Sequence, residues 1–140
     1  MGDELLITEA RSTILSGKCR CVTSARTNHL VIDEPVHNGG PGEAFTPGET
    51  FLSSVLACGV LLVDAFAHKD GVPLKDVRGS IRGERLKDNP ADWREVKMTF
   101  ELSGVDQKTA ESLVEKYKGK CPIFRAFNAA LKVTVTVKVV

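Results

Sequence analysis

Histidine, tryptophan and tyrosine are scarce in this chain, with three, one and one among 140 residues. A histidine-built metal centre therefore has little to draw on, because His29, His37 and His68 are scattered. Excess charge is missing too. The formal net charge is +1, which gives no reason to expect a nucleic acid or an anionic membrane as partner. No internal repeat, low-complexity tract or long linker breaks the sequence, so residues 1–140 read as a single domain, long enough to bury a real core. The apolar stretch Phe51–Ala67 is shorter than a membrane span and carries Ser53, Ser54 and Asp64, so it is expected as a buried core helix. Met1-Gly2-Asp3-Glu4 is acidic and matches neither a secretory leader nor a myristoylation signal. The expected setting is cytoplasmic and reducing, which leaves four cysteines free for redox or metal chemistry.

What is present is a sequence rich in punctuation. Leu5–Leu15 reads as a first strand closed by Ser16-Gly17-Lys18. Cys19–Ala25 alternates, with Cys19, Cys21 and Thr23 on one face, and Thr27-Asn28 turns the chain into a third strand, His29–Asp33. Asn38-Gly39-Gly40-Pro41-Gly42 is too rich in turn residues for a regular element. Thr46-Pro47-Gly48-Glu49 then opens a helix: Thr46 caps, Pro47 suits the first helical position, and Glu49 completes a capping box. That helix is expected to reach His68–Lys69. It is apolar on most of its circumference and must be buried on more than one side, by sheet or by a second subunit. Lys75–Leu86 and Arg94–Leu102 read as a hairpin bent at Asp88-Asn89-Pro90, with Val77, Ile81 and Arg85 on one face. Lys108–Lys118 is a helix with Ala110, Leu113, Val114 and Tyr117 at helical spacing and Gly119 at its end. Pro122–Asn128 is a short helix, and Leu131–Val139 a closing strand. The order is βββ-α-ββ-α-α-β, an α+β fold.

Chemistry concentrates on cysteine. Cys58 lies deep in the apolar helix, and Cys121 precedes Pro122 at the mouth of another. The thiolate is the reactive species, stabilised at helix N-termini and disfavoured in apolar surroundings without a cation. If the fold joins these sulfurs, one attacks an oxidant and the other resolves the product as a disulfide. Buried cysteine is also a common small core residue. Cys121 is harder to dismiss, because cysteine caps a helix poorly compared with Ser, Thr or Asp. Cys19-Arg20-Cys21 places two sulfurs on one strand face, near enough to share a metal. A structural zinc site needs about four ligands, so these read as strand residues and no metal is expected. Glu49 precedes Cys58 by about two and a half helical turns and does not share its face, which favours the capping reading. The glycine-rich loop lacks the spacing and the lysine of a P-loop and reads as a flexible cover over a site.

The run Asp33-Glu34-Pro35, Gly39-Gly40 and Thr46-Pro47-Gly48-Glu49-Thr50-Phe51-Leu52, continuing to Ala57-Cys58, resembles the signature of the OsmC/Ohr superfamily. Cys121-Pro122-Ile123 resembles its second cysteine motif. The resemblance implies an intertwined homodimer with sites at the subunit interface and thiol-dependent peroxidase activity toward organic hydroperoxides. It makes Cys58 the peroxidatic and Cys121 the resolving cysteine, with an external dithiol as reductant and no cofactor. Peroxidases of that family carry a Glu directly after the helix-start Pro, paired with an Arg from the N-terminal strands. Here Gly48 follows Pro47, and Glu49 comes one position later, a rotation of about 100°. Lys18, Arg20 and Arg26 lie in the region of the Arg, and none sits in a defining motif. The expected function is a hydroperoxide reductase in oxidative-stress defence. The alternative is a non-catalytic dimer binding an apolar or thiol ligand in the same interface pocket. A third reading makes Cys19 and Cys21 metal ligands.

Overall fold

Strands and helices follow the expected order: β1 (Arg11–Leu15), β2 (Arg20–Ala25), β3 (Asn28–Asp33), α1 (Pro47–Lys69), β4 (Asp76–Leu86), β5 (Asn89–Ser103), α2 (Gln107–Lys120), α3 (Pro122–Leu131) and β6 (Thr134–Val139). The computed structural model describes residue 2 and residues 4–15 and 17–140. The readings of Met1, Asp3 and Ser16 lie outside the described residues. The chain divides into two compact units, Met1–Thr50 and Phe51–Val140.

In the first unit β1, β2 and β3 form an antiparallel sheet in sequence order. The register sets Cys21 between Ile14 and Ile32, and Arg20 between Leu15 and Asp33. Strand β1 starts at Arg11 rather than Leu5. Residues 5–7 pair with no strand, and Leu5, Leu6 and Ile7 are exposed. After β3 the chain enters the glycine-rich loop, which Asp33 ties down: its Oδ2 accepts from the backbone N–H of Glu43 and of Ala44, both at 3.1 Å.

In the second unit β4 and β5 form a long antiparallel hairpin, and β6 adds parallel to β5. The hairpin bends at Lys87-Asp88, one position earlier than expected, with Leu86 paired to Asn89. Irregular register around Arg85 turns its side chain outward instead of inward beside Val77 and Ile81. The guanidinium instead lies 4.9 Å over the Trp93 ring. Period-two alternation along β5 buries Val96, Met98, Phe100 and Leu102. Facing them are Val55, Gly59, Val63 and Ala67 of α1, one turn apart, and Ala110, Leu113, Val114 and Tyr117 of α2. Each fully buried large apolar side chain contributes about 1.5–3 kcal/mol.

Glycine lets α1 approach the sheet. A Cβ on Gly79 would lie 2.6 Å from Leu56 Cδ1, and one on Gly59 would lie 2.6 Å from Phe100 Cζ. By length and composition α1 passes for a membrane span, yet its stripe from Val55 to Ala67 belongs to the core. Among its residues that stripe alone is fully buried, Leu52, Leu56, Val60, Leu62 and Phe66 are partly covered, and Leu61 remains 68% exposed. Helix α2 runs past Gly119 to Lys120 because the N–H of Cys121 still reaches the carbonyl of Tyr117, at 2.9 Å. Helix α3 extends to Leu131, so β6 begins at Thr134 rather than Leu131.

Candidate functional site

Two helix ends and one helix middle build the site in the second unit. Cys121 is at once the C-cap of α2 and the N-cap of α3, with Pro122 at the first helical position. Its Sγ accepts the N–H of Phe124 at 3.3 Å, so the sulfur does the work of a capping oxygen. Cys58 projects from the middle of α1. The two sulfurs stand 2.7 Å apart, inside van der Waals contact, and both cysteines are free. A covalent disulfide would be about 2.05 Å, so a small movement separates this pair from a bond.

The floor beneath the sulfurs is aromatic. Tyr117 lies one turn before Cys121 and is fully buried, with ring centroids 5.6 Å from Phe100 and 5.2 Å from Phe124. Its hydroxyl donates to the Val55 carbonyl at 3.4 Å. Cys121 is fully buried and Cys58 is half-buried. Burial pushes the Cys58 thiol up to about 12, helped by its contact with Cys121. Burial also pushes the Tyr117 phenol up, with smaller contributions from Cys121 and Cys58. Left to this unit, Cys58 holds its proton at neutral pH.

An apolar groove of about 330 Å³ opens between α1 and α3, lined by Phe51, Ser54, Ile123, Ala126, Phe127 and Leu131 among others. Ser54 stands one turn before Cys58, and Ile123 two residues after Cys121, though neither cysteine itself lines the groove. The Phe51 and Phe127 rings contact across it at 4.7 Å.

The other residues singled out from the sequence lie in the first unit. Glu49 closes the capping box as expected: its Oε2 accepts the Thr46 N–H at 2.9 Å, and its own N–H donates to Thr46 Oγ1 at 3.2 Å. Arg20 donates to Asp33 Oδ2 at 3.0 Å and to Glu43 Oε2 at 2.8 Å. These carboxylates hold its guanidinium above the ordinary arginine value. Burial works to raise the Asp33 carboxyl, but the Glu43 N–H, Arg20 and the Ala44 N–H outweigh it and lower it. Arg26 occupies the β2–β3 turn with a φ of 56°, and its carbonyl accepts from Arg11 at 3.3 Å. Lys18 stands exposed in the β1–β2 turn. Cys21 lies in β2 and its Sγ accepts from Ser12 at 3.5 Å, while Cys19 sits just before that strand. Among the described residues no group of three or more His, Cys, Asp or Glu is gathered as a metal would require. Sequence reasoning missed Tyr117 as the floor of the thiol pair. Its four-residue spacing from Cys121 was the available signal.

The family model described as OsmC-like protein matches residues 40–136. A crystal structure of an OsmC like protein from Mycoplasma pneumoniae superposes with a TM-score of 0.83 at 15% identity, covering 96% of this chain and 98% of the other. An organic hydroperoxide resistance protein OsmC from Legionella pneumophila gives 0.72 at 24% identity, covering 97% and 99%. An organic hydroperoxide resistance protein from Elizabethkingia anophelis gives 0.75 at 18% identity, covering 99% and 100%. Likeness this distant in sequence establishes the shared fold. No curated protein matches the chain.

Proposed function

Because the chain belongs to the OsmC-like protein family, we propose that it is a thiol-dependent hydroperoxide reductase acting on organic hydroperoxides, with Cys58 peroxidatic and Cys121 resolving. The observation that carries this reading is the 2.7 Å separation of two unbonded sulfurs. The Cys58 thiolate attacks the distal oxygen of ROOH. The O–O bond breaks, ROH leaves with one proton, and Cys58 becomes a sulfenic acid. Cys121 then attacks the Cys58 sulfur, water departs and a disulfide forms. An external dithiol restores both thiols and leaves as its own disulfide. The groove along Phe51 and Phe127 suits the alkyl or aryl part of the substrate.

A thiol pushed up to about 12 is a poor nucleophile at neutral pH, so a cation has to reach Cys58. Arg20, Arg26 and Lys18 are the candidates for it, with Glu49 as the carboxylate partner in this reading. Arg20 is the one already held in a fixed direction by two carboxylates. The working form in this reading is an intertwined homodimer of single-domain chains, supported by the exposed apolar residues Phe51 and Leu61 on α1.

The test is thiol counting on the reduced protein mixed with cumene hydroperoxide. Wild type should lose two thiols within seconds to minutes. Cys121→Ser should stop at a trappable sulfenate, and Cys58→Ser should leave the peroxide untouched. The raised Cys58 thiol favours one rival, a non-catalytic dimer that binds an apolar or thiol ligand in the groove. No thiol loss over minutes at modest peroxide excess would select that rival.

A further inference from the structure

Contact between Cys58 and Cys121 requires two backbones to be held at a fixed spacing, and one side chain lies against both. Tyr117 is fully buried one turn before Cys121, whose N–H donates to the Tyr117 carbonyl at 2.9 Å. At its other end the ring rests on α1. A Cβ on Gly59, the residue after Cys58, would lie 3.0 Å from Tyr117 Cζ, so the ring meets bare backbone with no side chain between to absorb a shift. The hydroxyl reaches the Val55 carbonyl, one turn before Gly59, at 3.4 Å. The phenol therefore spans the turn of α1 that carries Cys58.

The ring has little freedom of its own. Phe100 stands edge-on to it at an interplanar angle of 68°, and Phe124 is tilted against it with centroids 5.2 Å apart. Phe124 in turn ties back to the second sulfur, because its N–H donates to Cys121 Sγ at 3.3 Å. Gly59, Tyr117, Phe124 and Cys121 thus close a packed circuit around the thiol pair. Proton transfer to sulfur is not what this geometry offers. The hydroxyl has the Val55 carbonyl and Met98 Sδ, at 3.9 Å, as its partners, and burial keeps the phenol protonated.

We propose that Tyr117 is a positioning residue whose ring, seated on Gly59 and locked by Phe100 and Phe124, sets the reach of Cys121 to Cys58. It governs the closing step. The Cys121 sulfur attacks the Cys58 sulfenic acid, the S–S bond forms, the S–O bond breaks, and the hydroxyl leaves as water with the Cys121 proton. Attack on the peroxide is left to Cys58 alone. The inference rests on the pairing of Cys58 and Cys121 in the proposed function.

The experiment uses the full chain with Cys19→Ser and Cys21→Ser, so that only Cys58 and Cys121 can close a disulfide. Each variant is equilibrated in glutathione buffers, where protein dithiol plus glutathione disulfide gives protein disulfide plus two glutathione, and the oxidised fraction is read by intact mass after alkylation. Tyr117→Phe keeps the ring and should hold the equilibrium constant within about twofold. Tyr117→Leu should lower it at least about tenfold, since a misplacement of about 1 Å is enough to cost that factor. With cumene hydroperoxide, Tyr117→Leu should leave loss of the first thiol unchanged while dimedone catches more sulfenate. A residue that only filled the core would lower the unfolding midpoint and leave the disulfide equilibrium where it is, because the folded chain still dominates. Tyr117→Met, which fills the space with a flexible chain, carries the same expectation should Tyr117→Leu not fold. A folded leucine or methionine variant with the equilibrium of the parent would overturn the proposal, and so would Tyr117→Phe falling as far as either. Glutathione exchange needs no peroxide. A chain that ignores cumene hydroperoxide yet keeps this order of variants would sink the reductase reading and support the role of Tyr117.

Discussion

Every buried hydrophobic residue among the described residues lies in Phe51–Val140, whereas the buried polar residues, Ser24 and Asp33, both lie in Met1–Thr50. The second unit is held by aromatic and aliphatic packing around Phe100 and Tyr117. The first is held by its strand ladder and by polar pairs, Arg20 with Asp33 and Ser24 with His29 at 2.7 Å. Its apolar residues Ile14, Leu15, Leu30 and Val31 stay at the surface. Each unit also carries two cysteines, and the contrast repeats there. Cys58 and Cys121 sit on an aromatic floor, and burial pushes the Cys58 thiol up, while Cys19 and Cys21 flank Arg20 on the strand side of the first unit.

The largest effect expected from this contrast is on stability. Phe100→Ala should cost about 3–5 kcal/mol in denaturant unfolding, since it empties the middle of the core. Leu30→Ala, at a site 40% exposed, should change stability by no more than about 0.5 kcal/mol. A comparable loss at Leu30 would break the comparison, by showing that the first unit's apolar surface is covered in solution by a second copy.

The next prediction concerns pH. The Cys58 thiol is raised from 9.0 to about 12, so the folded chain binds that proton more tightly than the unfolded chain does. Its contribution to stability is complete below the ordinary value and is lost as pH climbs through the raised one. Alkylation of Cys58 by iodoacetamide, read by peptide mapping, should keep rising through pH 10. A plateau near pH 7 would reveal a cation reaching the thiol from outside Phe51–Val140, and the peroxidase reading would be sharpened. The smallest effect belongs to the helix start. Thr46→Ala removes the hydroxyl that accepts the Glu49 N–H and should cost about 1 kcal/mol, seen as a modest fall in Tm.

Much of the architecture was legible before any coordinates. The capping box at Thr46 and Glu49, the period-two pattern of β5 and the helical spacing from Ala110 to Tyr117 all behaved as read. Misreadings gathered where neighbours override local pattern. Arg85 alternates correctly on paper, yet irregular register sends it outward to Trp93. Gly119 looks like a helix end, but the backbone of Cys121 extends the ladder past it. Leu5–Ile7 has the composition of a strand and finds no partner.

The sequence by itself determined the order of elements, their caps and turns, and which faces are apolar, because each depends on residues within a few positions of one another. It also named the cysteines worth attention. Only the tertiary structure decided that Cys58 and Cys121 meet at 2.7 Å across 63 residues of chain, and that Arg20 meets both Asp33 and Glu43. Those are separations fixed by packing, and no local periodicity carries them.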